Sequence, residues 1–205
     1  MSDGNDMGLT AASDEELALA LKAGNESAFD ELVRRYEGRV YAVAYRFTGN
    51  REDALDVAQE AFIKVYRKIG MWEPRSGFLP WLLRLTTNQS IDLLRRQKRR
   101  RTESLDAADG GGTEGSPGIR RSPGAAEGAL DTGRQVRAKE IDARVQDALN
   151  VLSPSQRAVF VMRHYEGMQL AEIADVQGCT VGSVKVHLFR ALRKMQSELR
   201  DLIEP

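Results

Sequence analysis

Arg95, Arg96, Lys98, Arg99, Arg100 and Arg101 put six cations into seven consecutive positions. Before them comes a neutral hydrogen-bonding band, Thr86-Thr87-Asn88-Gln89-Ser90, set among apolar anchors at Trp81, Leu82, Leu85 and Leu94. Amides and hydroxyls suit base edges and sugars, and guanidinium groups neutralise phosphates, so the pattern points to nucleic acid. Trp72 and Phe78 stand just upstream, in and beside the stretch "GMWEPRSG", whose composition predicts a loop exposing Trp72. Aromatics beside a cationic groove hold unstacked single-stranded bases. The same residues also read as core aromatics followed by a basic helix end, and this segment alone does not separate the two readings.

A second group lies in "QLAEIADVQGCTVGSVKVHLFRALRKM", residues 169–195. A short helix around Leu170 to Ala174, with small Ala171 and Ala174 for close crossing, is followed by Gly178 in a turn. Thr180 caps a second, longer helix. This is a helix-turn-helix layout, whose second helix enters the major groove. At 100° per residue, Val184, Leu188, Ala191 and Met195 share a core-facing stripe. Val186, Phe189, Arg190 and Arg193 fall on the opposite face, with Lys185 at its edge. Exposed Val and Phe among cations suit a duplex, where apolar groups meet thymine methyls and cations reach guanine edges or phosphates.

Charge supports the reading. The chain has 205 residues and a formal net charge of zero, with 30 basic and 30 acidic side chains. Residues 1–60 hold thirteen acidic and six basic side chains, a balance of −7. Residues 84–101 carry +6 and residues 185–200 carry +4. Two separated cationic patches suit a polyanion gripped at two places, and the acidic segment suits a different, basic partner. No apolar run approaches a membrane span, so no membrane insertion is expected. The single cysteine, Cys179, excludes an internal disulfide framework. A cytoplasmic location is expected. No GxxxxGK[ST] stretch is present and no cofactor or metal is expected.

The elements that must position these residues are helical. Ser13 and Glu16 make a capping box, while residues 1–12 are expected to be disordered. Phe29, Leu32, Val33, Tyr36, Val40, Ala44 and Phe47 recur at helical spacing. Gly49-Asn50 breaks that helix, and Asn50 can cap the next. There Ala54, Val57, Ala58, Ala61, Phe62, Val65 and Ile69 form one face, and Asp53, Asp56, Gln59, Glu60 and Lys64 the other. Eight of the 18 glycines fall between Gly110 and Gly133, the composition of a linker. Helical periodicity resumes near Glu140, and Ser153-Pro154-Ser155-Gln156 is a strong helix start. No β-type alternation appears, so the fold class is all-α.

"DALDVAQEAFIKVYRKI" and "FLPWLLRLTTNQSIDLLRR" together resemble domain two of bacterial extracytoplasmic-function sigma factors of the sigma-70 superfamily. "LSPSQRAVFVMRHYEGMQLAEIADVQGCTVGSVKVHLFRALRKM" resembles their domain four. The resemblance implies two small helical domains, residues 13–101 and 140–205, joined by a flexible linker over 102–139. It implies that Asp53, Asp56, Gln59 and Glu60 dock on the β′ clamp helices of core RNA polymerase, with the β flap a further contact. Lys64, Trp72 and Asn88 match positions around a pocket for a base flipped from the −10 element. Arg84, Arg95 and Arg96 would grip nearby strands. Lys185, Val186, Phe189 and Arg190 match the positions that read the −35 element, with His187 and Arg193 nearer the backbone. An anti-sigma factor as partner rests on the resemblance alone.

Such a protein is not an enzyme. It directs core polymerase to promoters and traps the opened strand. Flipping a base costs a few kcal/mol, and stacking on an aromatic returns about 1–3 kcal/mol per base. A flexible linker of that length has an r.m.s. span of roughly 34 Å. The two domains of the free chain are expected either to tumble loosely or to close on each other. One rival is a helix-turn-helix regulator with an N-terminal helical sensor or dimerisation domain. It leaves residues 53–101 without a task. A helical nuclease is disfavoured by two histidines, one cysteine and no paired metal-ligand motif.

Overall fold

The computed structural model describes residues 9–106 and 132–203. Helices occupy nearly all of them, and no strand occurs among the described residues. Helix α1, Asp14–Lys22, starts at Ser13, whose hydroxyl accepts from the Glu16 N–H at 3.2 Å while Glu16 accepts from the Ser13 N–H at 2.7 Å. Helix α2, Glu26–Thr48, ends at Gly49, where a φ of 71° turns the chain back. Only glycine takes that left-handed conformation without strain. Helix α3, Arg51–Lys68, follows at once, its first turn capped by the Asn50 side chain on the Asp53 N–H at 2.8 Å. Two single-turn 3₁₀ segments, Ile69–Met71 and Pro74–Ser76, lead into α4, Phe78–Asp106.

These helices enclose a core in which Leu17, Leu32, Val40, Val65 and Leu82 are fully buried. Each such side chain contributes about 1.5–3 kcal/mol of burial. Trp72 and Phe78 sit in this core edge to face, with ring centroids 6.3 Å apart.

The N-terminus departs from expectation. Residues 9–11 form a helical turn rather than disordered chain. Arg35 fixes it by donating to the carbonyls of Ala12 at 2.8 Å, Thr10 at 2.9 Å and Leu9 at 3.0 Å. Glu31 accepts from Arg35 and also from Arg34, each bond 2.7 Å long. These two guanidinium groups hold its carboxyl down to about 2. Residues 1–8 lie outside the described residues.

The C-terminal half consists of α5, Thr132–Val151, α6, Pro154–His164, α7, Leu170–Gln177, and α8, Val181–Glu198, with a last turn α9, Arg200–Ile203. Ser153 and Gln156 form the expected capping box, with proline at the first helical position. Gly178 closes α7 at a φ of 61°, and the Thr180 hydroxyl accepts from the Ser183 N–H at 3.1 Å to start α8. Ile173 and Ala174 of α7 share a core with Val184, Ala191 and Met195 of α8. Ala171, expected at the crossing, faces solvent instead, because Ile173 and Val176 supply the inward face.

Helix extends into both ends of the range 102–139, where a linker is expected. Helix α4 runs on through Asp106 and α5 begins at Thr132, while residues 107–131 lie outside the described residues. The two halves are also closed on each other. Val43, Phe47 and Leu83 belong to the same contiguous core as Leu149, Phe160 and Met162.

Candidate nucleic-acid and polymerase interface

Two surfaces gather most of the residues singled out in the sequence. The first is an open groove of about 790 Å³ between α3 and α4. Asp56, Gln59, Glu60 and Lys64 line its α3 side, and Arg95 and Arg96 its α4 side. The acidic residues expected to meet polymerase and the basic residues expected to meet DNA therefore share one cleft. The Lys64 ammonium donates to the Gln89 side-chain oxygen, which ties the two walls together.

On α4, Arg84, Asn88 and Arg95 are exposed. Spacings of four and seven residues place them within about 40° of one another around the helix. Arg99 extends this stripe and also lines the groove. Asp92 interrupts it, 3.9 Å from the Arg95 guanidinium. The stripe is thus a polar row with Asn88 near its start and cations towards its end.

Three expectations for this half are corrected. Trp72 is not exposed: it has no accessible surface, and its indole N–H donates to the Gly77 carbonyl at 3.1 Å. The 3₁₀ turn Ile69–Met71 swings the indole inward against Phe78, and the bond to Gly77 satisfies the only polar atom of the ring. In this structure Trp72 is a core residue that fixes the loop, and no base can stack on it. The band Thr86 to Ser90 is likewise inward, except for Asn88. Thr86, Thr87 and Ser90 are fully buried, and Gln89 nearly so. Thr86 and Ser90 tolerate this because they donate back along the helix, to the Leu82 carbonyl at 3.0 Å and the Thr86 carbonyl at 2.9 Å, whereas the Thr87 hydroxyl is enclosed without a partner among the described residues. Asp53 is half-buried and engaged inside the chain, accepting from the Gln97 side chain at 2.8 Å and from Asn50. It braces α3 against α4, and Asp56, Gln59 and Glu60 are left to line the groove.

The second surface lies on α8. Lys185, Val186, Phe189, Arg190 and Arg193 line an open groove of about 670 Å³ with Gln156 and Lys194, and no acidic side chain is among them. Phe189 is 62% exposed and Val186 47%, so both apolar groups stand in solvent beside cations. The Arg193 guanidinium lies 5.9 Å from the centre of the Phe189 ring. Helix α8 positions them because its other face, Val184, Ala191 and Met195, is locked into the core. His187 stands apart: it is half-buried, and its Nδ1 is enclosed without a partner in the chain. Lys194 could have been read from the sequence, since it stands four residues beyond Arg190 on the same face. Gln156 could not, because only the packing of α6 on α8 brings it there.

No helix among the described residues is long and apolar enough to cross a membrane, and no cluster of three metal-ligating side chains occurs among them. The chain is similar to known proteins over both halves. A Sigma-70 region 2 family model matches residues 32–100, and a Sigma-70, region 4 model matches residues 142–195. The RNA polymerase sigma-H factor of Pseudomonas aeruginosa is 32% identical, over 95% of this chain and 98% of that protein. The ECF RNA polymerase sigma factor SigW of Bacillus subtilis is 34% identical, over 89% of this chain and 94% of its own length. Among solved structures, CnrH in complex with the cytosolic domain of CnrY superposes with a TM-score of 0.66 at 24% identity, covering 93% of this chain and 99% of that one. That likeness speaks to the fold. The two surfaces, on two helical units in the order region 2 then region 4, and full-length kinship to several such factors lead to one conclusion: the chain belongs to the extracytoplasmic-function sigma factors of the sigma-70 family.

Proposed function

We propose that this sigma factor divides its work between the two surfaces. The α3 side of the first groove, Asp56, Gln59 and Glu60, meets basic helices of core polymerase, the β′ clamp helices, with Asp53 holding that wall in place from within. The α4 stripe, Arg84, Asn88 and Arg95, together with Arg96 beside it on the groove wall, takes the opened −10 strand, with Lys64 at the floor between. Asn88 supplies an amide to the edge of a captured base, and the cations hold its phosphates. On α8, Lys185, Val186, Phe189, Arg190 and Arg193 lie in the major groove of the −35 element, apolar groups on thymine methyls and cations on guanine edges and phosphates. His187 acts beneath that face and not on it.

The observation that carries this reading is the acid-free rim around exposed Val186 and Phe189 on α8, paired with a polar stripe around Asn88 on α4. Sigma factors are not enzymes, and no step here makes or breaks a covalent bond. The cytoplasm, where polymerase and promoter meet, is the place of action. A protein partner that silences the factor fits the same surfaces. The sigma factor RpoE of Bartonella quintana, similar in fold at 24% identity, is solved in complex with the anti-sigma factor NepR.

Run-off transcription with core polymerase on a library of promoter fragments tests the assignment, with two variants separating the surfaces. Asn88→Ala should reduce permanganate reactivity of the melted −10 strand while leaving −35 duplex binding intact. Arg190→Ala should relax −35 discrimination by about 1–3 kcal/mol, as a base-edge contact does. Unchanged permanganate reactivity in the first, or equal weakening on all sequences in the second, refutes the corresponding role.

A further inference from the structure

Helix α1 lines neither groove, and the function assigned so far gives it no task beyond packing. One of its side chains reaches out of it. The Lys22 ammonium donates to the Trp72 carbonyl at 3.0 Å. Trp72 lies in residues 69–77, the connection between α3 and α4.

That connection holds its own shape. The Trp72 backbone N–H donates to the Ile69 carbonyl at 3.0 Å, and its indole N–H to the Gly77 carbonyl at 3.1 Å. The Ser76 and Gly77 N–H groups donate to the Glu73 and Pro74 carbonyls, both at 3.0 Å. Arg75 pairs with Glu73 at 2.8 Å. Its place on the molecule is set from outside. Ile69 and Trp72 share a core with Leu17 and Leu21, which seats the connection on α1. Apolar contact is non-directional and tolerates sliding. A hydrogen bond does not, because donor and acceptor must stay aligned within about 3 Å. Among the described residues, Lys22 is the one side chain of a helix that hydrogen-bonds to this connection, so it fixes the register against α1.

Register matters here because the connection stands at the head of the polar stripe on α4. Counting seven residues back from Arg84, about 10 Å along the axis and about 20° off its line, reaches Gly77 at the mouth of the helix. Glu73, Pro74, Arg75 and Ser76 are exposed immediately before it. A strand lying along Asn88 and Arg84 meets this exposed turn next. How well it fits there depends on where the turn is seated.

We propose that Lys22 is a positioning residue: through the Trp72 carbonyl it sets the exposed turn 73–76 where the strand leaving Arg84 passes, and so governs which −10 sequences are held. The effect on selection rests on the function proposed for the α4 stripe; the seating of the connection by Lys22 does not.

Two measurements on the full chain test this. Lys22→Met keeps the length of the side chain and removes its donor, and Lys22→Arg restores a donor. In hydrogen exchange, the amides from Gly70 to Arg75 should exchange roughly 3–10-fold faster in Lys22→Met, the scale of one lost hydrogen bond. Lys22→Arg should return them to the original rate, with the denaturation midpoint unchanged throughout. In run-off transcription with core polymerase on promoters randomised in the −10 element, Lys22→Met should narrow the gap in yield between the best and the median sequence by a similar factor. Lys22→Arg should reopen that gap, and binding to a duplex carrying only the −35 element should not change. A lysine that merely supports the fold would lower the yield from every sequence alike. That outcome overturns the proposal, as does unchanged exchange in Lys22→Met or failure of Lys22→Arg to restore the gap. Should Lys22→Met lower the denaturation midpoint, exchange is read against the amides of α2, and a rise not confined to residues 70–75 overturns the proposal. Absence of any −10 preference in the unaltered chain would overturn the role given to α4, while the exchange arm would still decide the seating.

Discussion

Trp72 shows how far a single residue's setting can depart from its type. A tryptophan in a Gly-Pro-rich stretch beside a cationic helix has the makings of a stacking platform, yet here it is sealed in the core with its N–H on Gly77. The exposed parts of that segment are Gly70 and Met71 on one side of it and Glu73 to Ser76 on the other. Trp72→Ala should therefore cost about 3–5 kcal/mol of stability, as truncation of a buried large aromatic does. Trp72→Phe should cost far less and leave strand melting near normal once the protein is folded. Chemical denaturation and permanganate footprinting check the two halves of that statement. Loss of melting in a stably folded Trp72→Phe would return the residue to the DNA surface.

At the scale of elements, the N-terminal turn, α1 and α2 are bound through one cluster of charges. Glu31 anchors Arg35, Arg35 gathers the carbonyls of residues 9, 10 and 12, and Asp14 receives both Arg35 and the Tyr36 hydroxyl. Burial and the bond to Asp14 raise the Tyr36 phenol well above its ordinary range, so it stays protonated and keeps donating. The Glu31 carboxyl is held from its ordinary 4.5 down to about 2. A lowered carboxylate pKa stabilises the fold at any pH above the unfolded value, and that stabilisation fades as pH falls through the folded one. The contribution of Glu31 is thus whole above about pH 4.5 and drains away between there and about 2. Glu31→Gln should flatten stability against pH in that window, measured by denaturant midpoints. An unchanged slope would mean the cluster holds no charge-dependent energy.

Much of this architecture is legible in the sequence, and the reasons are local. Ser13, Asn50, Ser153 and Thr180 act as caps because capping needs only a short polar side chain and the turn that follows it. The exposed apolar and cationic face of α8 is legible because helical geometry alone places Phe189 opposite Val184. What stays hidden depends on contacts far apart in the chain. The inward turn of Thr86 and Ser90 is invisible because hydroxyls look polar whether they face water or their own backbone. Asp53 looks like its exposed neighbours until Gln97, 44 residues on, is seen to bind it. The last turns of α4 and the first of α5 stay hidden because they run through a composition poor in apolar residues.

For the whole molecule, the shared core makes a statement about cooperativity. If Val43, Phe47 and Leu83 pack with the C-terminal half, the halves should not melt independently. Both tryptophans, Trp72 and Trp81, belong to the N-terminal half, so their fluorescence reports on it alone. Leu149→Ala, deep in the C-terminal half, should still lower the midpoint of the fluorescence transition, in step with that of helicity by circular dichroism. A fluorescence midpoint that ignores Leu149→Ala would describe two separately folding units. The rival architecture of a regulator with an unrelated sensor domain is already removed, since the N-terminal half itself matches the region 2 model.

The unbroken run of α4 carries one last implication. Twenty-nine residues of continuous helix form a rod about 43 Å long. Asn88 and Arg95 are rungs on it, about 10 Å apart along the axis, with no joint between them. On the role proposed for this helix it would act as a gauge: a nucleotide seated at Asn88 would find the place of the next charges already measured out.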